Sequence, residues 1–249
     1  MLNRLQSKLF QNARGDFKYR QFDAVMIVQA VSWYLRYALS YRDIEELYRE
    51  RGISVCYSTL NRWVLYYAPL LEKRLRQFRK LHCGSVRIDE TYIKVKGQWK
   101  YLYRAIDKQG TVIDFLLTAQ RDAEAAKRFF RKAFRNDHLF APSSIGTDGA
   151  SVFPQTLETM VDEGILPKKH KHHVTKILQQ GIESDHFRLK KNIPKNGCFQ
   201  TFQTARRTLK GYEAMLWLKK GFGWIGEWTV KEQNNLLGDI FALNSVNRI

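Results

Sequence analysis

The pattern of apolar and polar positions divides the chain into a helical first third, a strand-rich middle and a mixed remainder. From Phe22 to Leu39 the segment FDAVMIVQAVSWYLRYAL has helical length, and Val25, Val28, Val31 and Tyr34 recur at the spacing of a core-facing helix. A second helix is predicted from Ser40. There Ser40 and Asp43 form an S-x-x-D capping pattern, Ile44 and Leu47 supply an apolar stripe, and Gly52 offers a left-handed end. A third helix is expected through STLNRWVLYYAPLLEKRLRQF, with Ser58 as its cap and Pro69 as a bend or restart.

The periodicity then changes. VRIDETYIKV, KYLYRAID and TVIDFLLTA are short runs rich in Val, Ile, Tyr, Phe and Thr, and Lys96-Gly97 and Lys108-Gln109-Gly110 punctuate them as turns, which predicts a three-stranded antiparallel meander. DAEAAKRFFRKAFRN reads as an amphipathic helix with Asp122 near its start, and SSIGTDGA as a strand ending in a Gly-rich turn. A helix from about Pro154 to Glu163, a strand near Val174, a helix over KILQQGIESDHFRLKKNI and a last one over FQTARRTLKGYEAMLWLKKG complete the reading. Gly181 inside the third of these costs about 1 kcal/mol relative to Ala.

This order of elements predicts an α/β sheet of mixed strand direction, and it fits the ribonuclease-H-like architecture. Residues 1–75 are expected to form an all-α region with a helix-turn-helix at about 40–67, residues 76–222 the α/β core, and residues 223–249 a tail of uncertain structure. Two helices joined by a Gly-containing turn, the second exposing Thr59, Asn61 and Arg62 near its start, match the arrangement that enters the DNA major groove. A plain three-helix bundle would show the same pattern.

Charge tips that balance. The chain of 249 residues has 42 Lys and Arg against 24 Asp and Glu, a net +18, which favours a polyanionic partner such as DNA or RNA. No apolar run is long enough to cross a bilayer, and the N-terminus lacks the apolar stretch and cleavage site of a secretion signal, so a cytoplasmic protein without a membrane partner is expected. Cys56, Cys83 and Cys198 are too few and too scattered for a disulfide framework or a zinc site, and are read as ordinary buried or half-buried thiols. His170, His172 and His173 lack a supporting Cys pair and read as part of a basic, DNA-facing segment. Trp99, Tyr101 and Tyr103 fit sheet packing better than stacking on exposed bases.

Three acids are candidates for chemistry. Asp89 lies mid-strand between apolar neighbours, where an acid is a poor guest. Asp148 ends a predicted strand beside a turn-forming Gly, at the kind of edge where open α/β sheets bind ligands, although an ordinary Asp-Gly turn has the same form. Glu183 lies on a predicted helix with His186, Phe187 and Lys190 expected on its face. Phosphodiester chemistry with Mg²⁺ calls for converging carboxylates of this kind.

The segment IDETYIKVKGQWKYLYRAIDKQGTVIDF, then TDG, then 34 residues (149–182), then IESDHFRLKK resembles a DDE transposase, and more narrowly insertion-sequence family six. The resemblance covers roughly residues 20–221 and implies a retroviral-integrase-like catalytic core joined to an N-terminal helix-turn-helix. By position it implies that Asp89, Asp148 and Glu183 are catalytic and bind Mg²⁺, with Mn²⁺ as a substitute, and that Lys190 contacts DNA near the scissile phosphate, with Arg188 and Lys191 beside it. It further implies terminal inverted repeats and target DNA as double-stranded partners, a homodimer or larger assembly, a bacterial cytoplasmic setting, and cointegrate formation. The chain departs from the family at Gln179-Gln180-Gly181, where an Asn pair is usual. A catalytically inactive transposase-derived DNA-binding protein is the alternative.

Overall fold

The computed structural model describes residues 15–80, 84–134, 142–174, 180–193, 199–224 and 226–243. The chain forms two compact units, residues 1–78 with 207–249, and residues 79–206.

The first unit is helical. Helix α1, Ala24–Arg36, starts at Asp23, whose carboxylate accepts from Val25 N at 2.7 Å. Helix α2, Tyr41–Arg49, carries the expected capping box: Ser40 Oγ accepts from Asp43 N at 3.1 Å, and Asp43 Oδ2 accepts from Ser40 N at 2.7 Å. Gly52 follows at φ +71°, the left-handed conformation expected of it. Helix α3 spans Tyr57–Leu75, and two expectations fail there. Its N-cap is Cys56, which makes no side-chain cap hydrogen bond, so Ser58 lies inside the helix; and the helix continues through Pro69. Burial of Trp63, Val64, Tyr67, Ala68 and Leu71 on both sides of the proline holds the segment helical.

Residues 207–243 belong to this unit, which differs from the expected division at 222/223. Helix α7, Phe202–Lys219, contributes Gly211, where a Cβ would lie 2.7 Å from Ala68 Cβ and from Leu35 Cδ1; the missing side chain is what permits the close approach. Tyr34 stacks with Tyr41 and Tyr212 at centroid distances of 4.2 and 6.1 Å. The expected tail contains helix α8, Val230–Ile240, closed at its start by a Thr229–Glu232 capping box. It buries Leu236, Leu237 and Ile240, and buried Arg74 donates from Nη1 to Ile240 O at 3.1 Å.

The second unit is a five-stranded sheet of order β3-β2-β1-β4-β5. Strands β1, Ser85–Val95, β2, Gln98–Asp107, and β3, Val112–Thr118, are antiparallel, whereas β4, Ser144–Thr147, and β5, Lys171–Val174, run parallel to β1. That sequence of directions is the ribonuclease-H-like topology. The β1–β2 turn is Lys96-Gly97 with φ of 46° and 79°, the two left-handed residues of a tight hairpin. One sheet face packs Val86, Ile88, Tyr103 and Ala105 against Phe129 and Phe130 of helix α4, Ala123–Phe134, and Phe153, Leu157 and Met160 of helix α5, Val152–Asp162. Asp122 caps α4 by accepting from Ala125 N at 2.6 Å. On the other face lies helix α6, Gln180–Asn192, which packs on β1 and β2. Among the described residues, no helix is long and apolar enough to cross a membrane.

Candidate active site

Parallel pairing of β1 with β4 sets the site. Val86 pairs with Ile145 and Arg87 with Gly146, so two residues further along each strand come Asp89 and Asp148. Asp89 is still on β1, and Asp148 is the first residue past β4. Asp148 is held by its own turn, Oδ1 accepting from Ala150 N at 3.1 Å. Gly149 between them has φ +90°, and a Cβ there would meet Val174 Cγ1 at 2.7 Å, so the TDG turn needs its glycine for conformation and for space.

Asp89 points to the α6 face of the sheet. Its Oδ1 accepts from Glu90 N at 2.8 Å, and its Oδ2 lies 3.6 Å from His186 Nδ1. Burial pushes the Asp89 carboxyl up to about 7; the Glu90 amide opposes this, while the charges of Asp148 and Glu183 add to it. The three acids singled out in the sequence therefore share one electrostatic neighbourhood. Among the described residues, no three acidic, histidine or cysteine side chains are gathered closely enough to cage an ion.

Helix α6 separates its faces differently from expectation. Ile182, His186 and Leu189 are buried, whereas Glu183, Phe187 and Lys190 are exposed one and two turns apart on the other face. His186 is thus turned inward to Asp89 rather than outward with Glu183. Burial, then the charges of Arg104 and Lys190, brings its imidazole down to about 3, so it meets Asp89 as a neutral ring. Arg104, paired with Asp89 across β1–β2, is fully buried on the same face. Lys191 is exposed, the Arg188 side chain lies outside the described ones, and Gln179 lies outside the described residues.

A fourth acid, Glu90, emerges only in the fold. Alternation along β1 sends Glu90 to the face opposite Asp89, where it is buried beside Tyr103 and ion-paired with Arg121. Burial raises its pKa, Arg121 opposes that, and the Asp148 charge raises it further. The tandem Asp89-Glu90 within a strand was the available signal, because alternation requires two acids on two faces.

The remaining candidates divide. His172 is half-buried and its Nε2 shares a 2.8 Å hydrogen bond with Thr147 Oγ1, so it tethers β5 to the residue before Asp148 rather than facing outward. His170 Nδ1 lies 3.0 Å from Pro167 O, and Lys171 and His173 are exposed on the edge strand. Cys56 is exposed, contrary to expectation, because it is the cap residue of α3; Cys83 and Cys198 lie outside the described residues. In the helical unit Arg62 is exposed, while Thr59 and Asn61 are half-buried against the expectation that all three face outward. Of the aromatic trio, Tyr103 is core and Tyr101 half-buried, but Trp99 is 58 % exposed.

A mixed sheet carrying one acid within β1 and a second just past the end of the parallel β4, with a third on the helix that packs on the Asp89 face, defines a ribonuclease-H-like polynucleotidyl transferase core. Comparison with known proteins agrees. A DDE domain family matches residues 83–222. The chain is 42% identical over 206 residues, 82% of its length and 88% of the relative's, to the transposase for insertion sequence-like element IS431mec of Staphylococcus aureus, with the same values for the transposase of insertion sequence element IS257 in transposon Tn4003. The chain belongs to the DDE transposases of insertion sequences, within insertion-sequence family six. Among solved structures it resembles a simian T-cell lymphotropic virus intasome chain, at 15% identity and TM-score 0.42 over 61% of this chain and 52% of that one. It also resembles the HTLV-2 integrase catalytic core domain in complex with magnesium, at 16% identity and TM-score 0.37 over 57% and 86%.

Proposed function

We propose that this transposase binds the terminal inverted repeats of its element and catalyses metal-dependent cleavage and strand transfer into target DNA, with Asp89, Asp148 and Glu183 as the catalytic carboxylates. The observation that carries the reading is the register of β1 and β4, which sets Asp89 and Asp148 side by side, with Glu183 near enough for its charge to be felt at Asp89.

The donor set suits Mg²⁺, with Mn²⁺ as substitute. It consists of carboxylate oxygens; burial first, and then the Asp148 and Glu183 charges, raise the Asp89 pKa, and such a group gains by taking up a hard cation. Held by Asp89, Asp148 and Glu183, divalent ions would supply Lewis-acid activation of the attacking oxygen and stabilise the leaving one. Neutral His186 seats the Asp89 carboxylate without competing for its charge. Lys190, exposed two turns from Glu183 on the same helix face, positions a backbone phosphate, with Lys191 and Arg188 adding positive charge.

The helical unit reads the element end through the start of α3, where Arg62 is the exposed member of the trio and Thr59 and Asn61 set its base. Two DNA ends must be joined, so the active form is a homodimer or larger assembly, working on bacterial DNA in the cytoplasm and yielding a cointegrate. Incubation of the full chain with a labelled element-end duplex and a target plasmid tests this. Joined product in Mg²⁺ or Mn²⁺ and none with chelator supports it; binding without joining under either metal would favour an inactive transposase descendant.

A further inference from the structure

The face of the β1–β2 hairpin opposite Asp89 carries a strip that strand transfer by the carboxylates does not use. Alternation and pairing place Glu90 with Tyr103, Tyr92 with Tyr101 and Lys94 with Trp99 on this face. The first pair is buried. Beyond it the strip emerges: Tyr92 is 42% and Trp99 58% exposed, and they meet edge to face at 6.3 Å, with Tyr101 a further 5.5 Å from Tyr92. Contiguous exposed apolar surface marks interaction sites more often than scattered single residues do.

Cations border the rings. Lys94 Nζ lies 5.6 Å from the Trp99 ring centre, and Lys96 turns the hairpin tip. At the inner end Arg121 is anchored on buried Glu90 with its own side chain 43% exposed, within electrostatic range of both Tyr92 and Asp148. The strip thus lies on the face opposite Asp89, has its inner end within electrostatic range of Asp148, and runs outward about 13 Å from Glu90 to Lys94.

We infer that this strip, Arg121, Tyr92, Tyr101, Trp99 and Lys94, is a binding track for a short unpaired DNA strand leaving the acidic site. Rings interleaved with cations suit nucleic acid whose base faces are free, since bases stack on the rings while Lys94 and Arg121 meet the phosphates. A fully paired duplex hides those faces, so the ligand is single-stranded. The net charge of +18 agrees with a polyanion. The inference rests on the reading of the chain as a DNA-joining enzyme, and names the strand that its site must hold open.

Fluorescence anisotropy tests it on the full chain in chelator, so that no chemistry is required. The probes are two fluorescein-labelled element-end duplexes, one blunt and one with an unpaired tail of about ten nucleotides. The wild type should favour the tailed probe. Trp99→Ala should remove roughly five- to a hundred-fold of that preference, the range for one stacked base, while blunt-duplex affinity is unchanged. Trp99→Phe should keep most of it, and Tyr19→Ala, which removes an exposed ring of the helical unit, all of it. No preference in the wild type, or a preference intact in the Tyr92→Ala/Trp99→Ala double variant, would overturn the inference. So would a double variant that changes only the oligomeric state, which would assign the strip to a second copy. A chain that never joined DNA would still give the tail effect, and a chain without the tail effect could still join DNA, so the two readings fail separately.

Discussion

Gly149 stands where any side chain would strike Val174: its Cβ position lies 2.7 Å from Val174 Cγ1, and its φ is +90°. The turn it makes fixes Asp148 opposite Asp89. Gly149→Ala is therefore expected to destabilise the sheet unit by about 1–3 kcal/mol, read by urea denaturation, and to lower joining roughly a hundred-fold through displacement of Asp148. Adding Val174→Ala should recover the steric part of the stability loss and leave the conformational part.

The Asp89 carboxyl, buried and near other acids, has its pKa raised from 3.8 to about 7 in the folded protein without metal. A raised carboxyl makes the fold most stable below the unfolded pKa, and that stability is lost as pH climbs through the folded one. Metal-free wild type should thus lose stability on the order of a few kcal/mol from about pH 4 to above pH 7, and Asp89→Asn should flatten that slope. Divalent metal should restore the wild type at pH 8 and leave Asp89→Asn unmoved. Thermal melts across pH with and without Mg²⁺ check both.

Glu90 is buried with Arg121 as its ion partner, and Arg121 is partly open to solvent. Arg121→Ala leaves a carboxylate without its counter-charge and should cost about 1–3 kcal/mol, the exposure of the arginine keeping this below the value for a fully buried pair. The double variant Glu90→Gln/Arg121→Ala should recover most of that loss in chemical denaturation.

Helix α8 belongs to the helical unit through Leu236, Leu237, Ile240 and the Arg74 bond to Ile240 O. Ending the chain at residue 222 should cost several kcal/mol, at about 1.5–3 kcal/mol for each large apolar side chain withdrawn. The expected readout is a lowered melting transition, with exposed apolar surface binding a hydrophobic dye.

Local signals in the sequence were sufficient for most elements. The alternation in VRIDETYIKV and the Lys96-Gly97 turn foretold the hairpin, and Ser40-x-x-Asp43 foretold the start of α2, because each depends on neighbours within a few residues. Thr229-x-x-Glu232 is an equally local capping box that marks the start of α8. Ser58 and Pro69 misled because packing of α3 on its neighbours outweighed the local preference of two residues. The candidate acids Asp89, Asp148 and Glu183 follow from motif and spacing. The inward turn of His186 and the partnership of Glu90 with Arg121 do not, since both arise from contacts between segments distant in sequence.

The proposed carriers of metal-dependent DNA joining are Asp89, Asp148 and Glu183. The most direct measurement compares the wild type with Asp89→Asn, Asp148→Asn and Glu183→Gln for joining of a labelled element end in Mg²⁺ and in Mn²⁺, alongside end binding in chelator. Assignment of catalysis to all three acids requires every variant to bind the end as the wild type does and to join none of it. Joining at the wild-type rate by any one of them would contradict it.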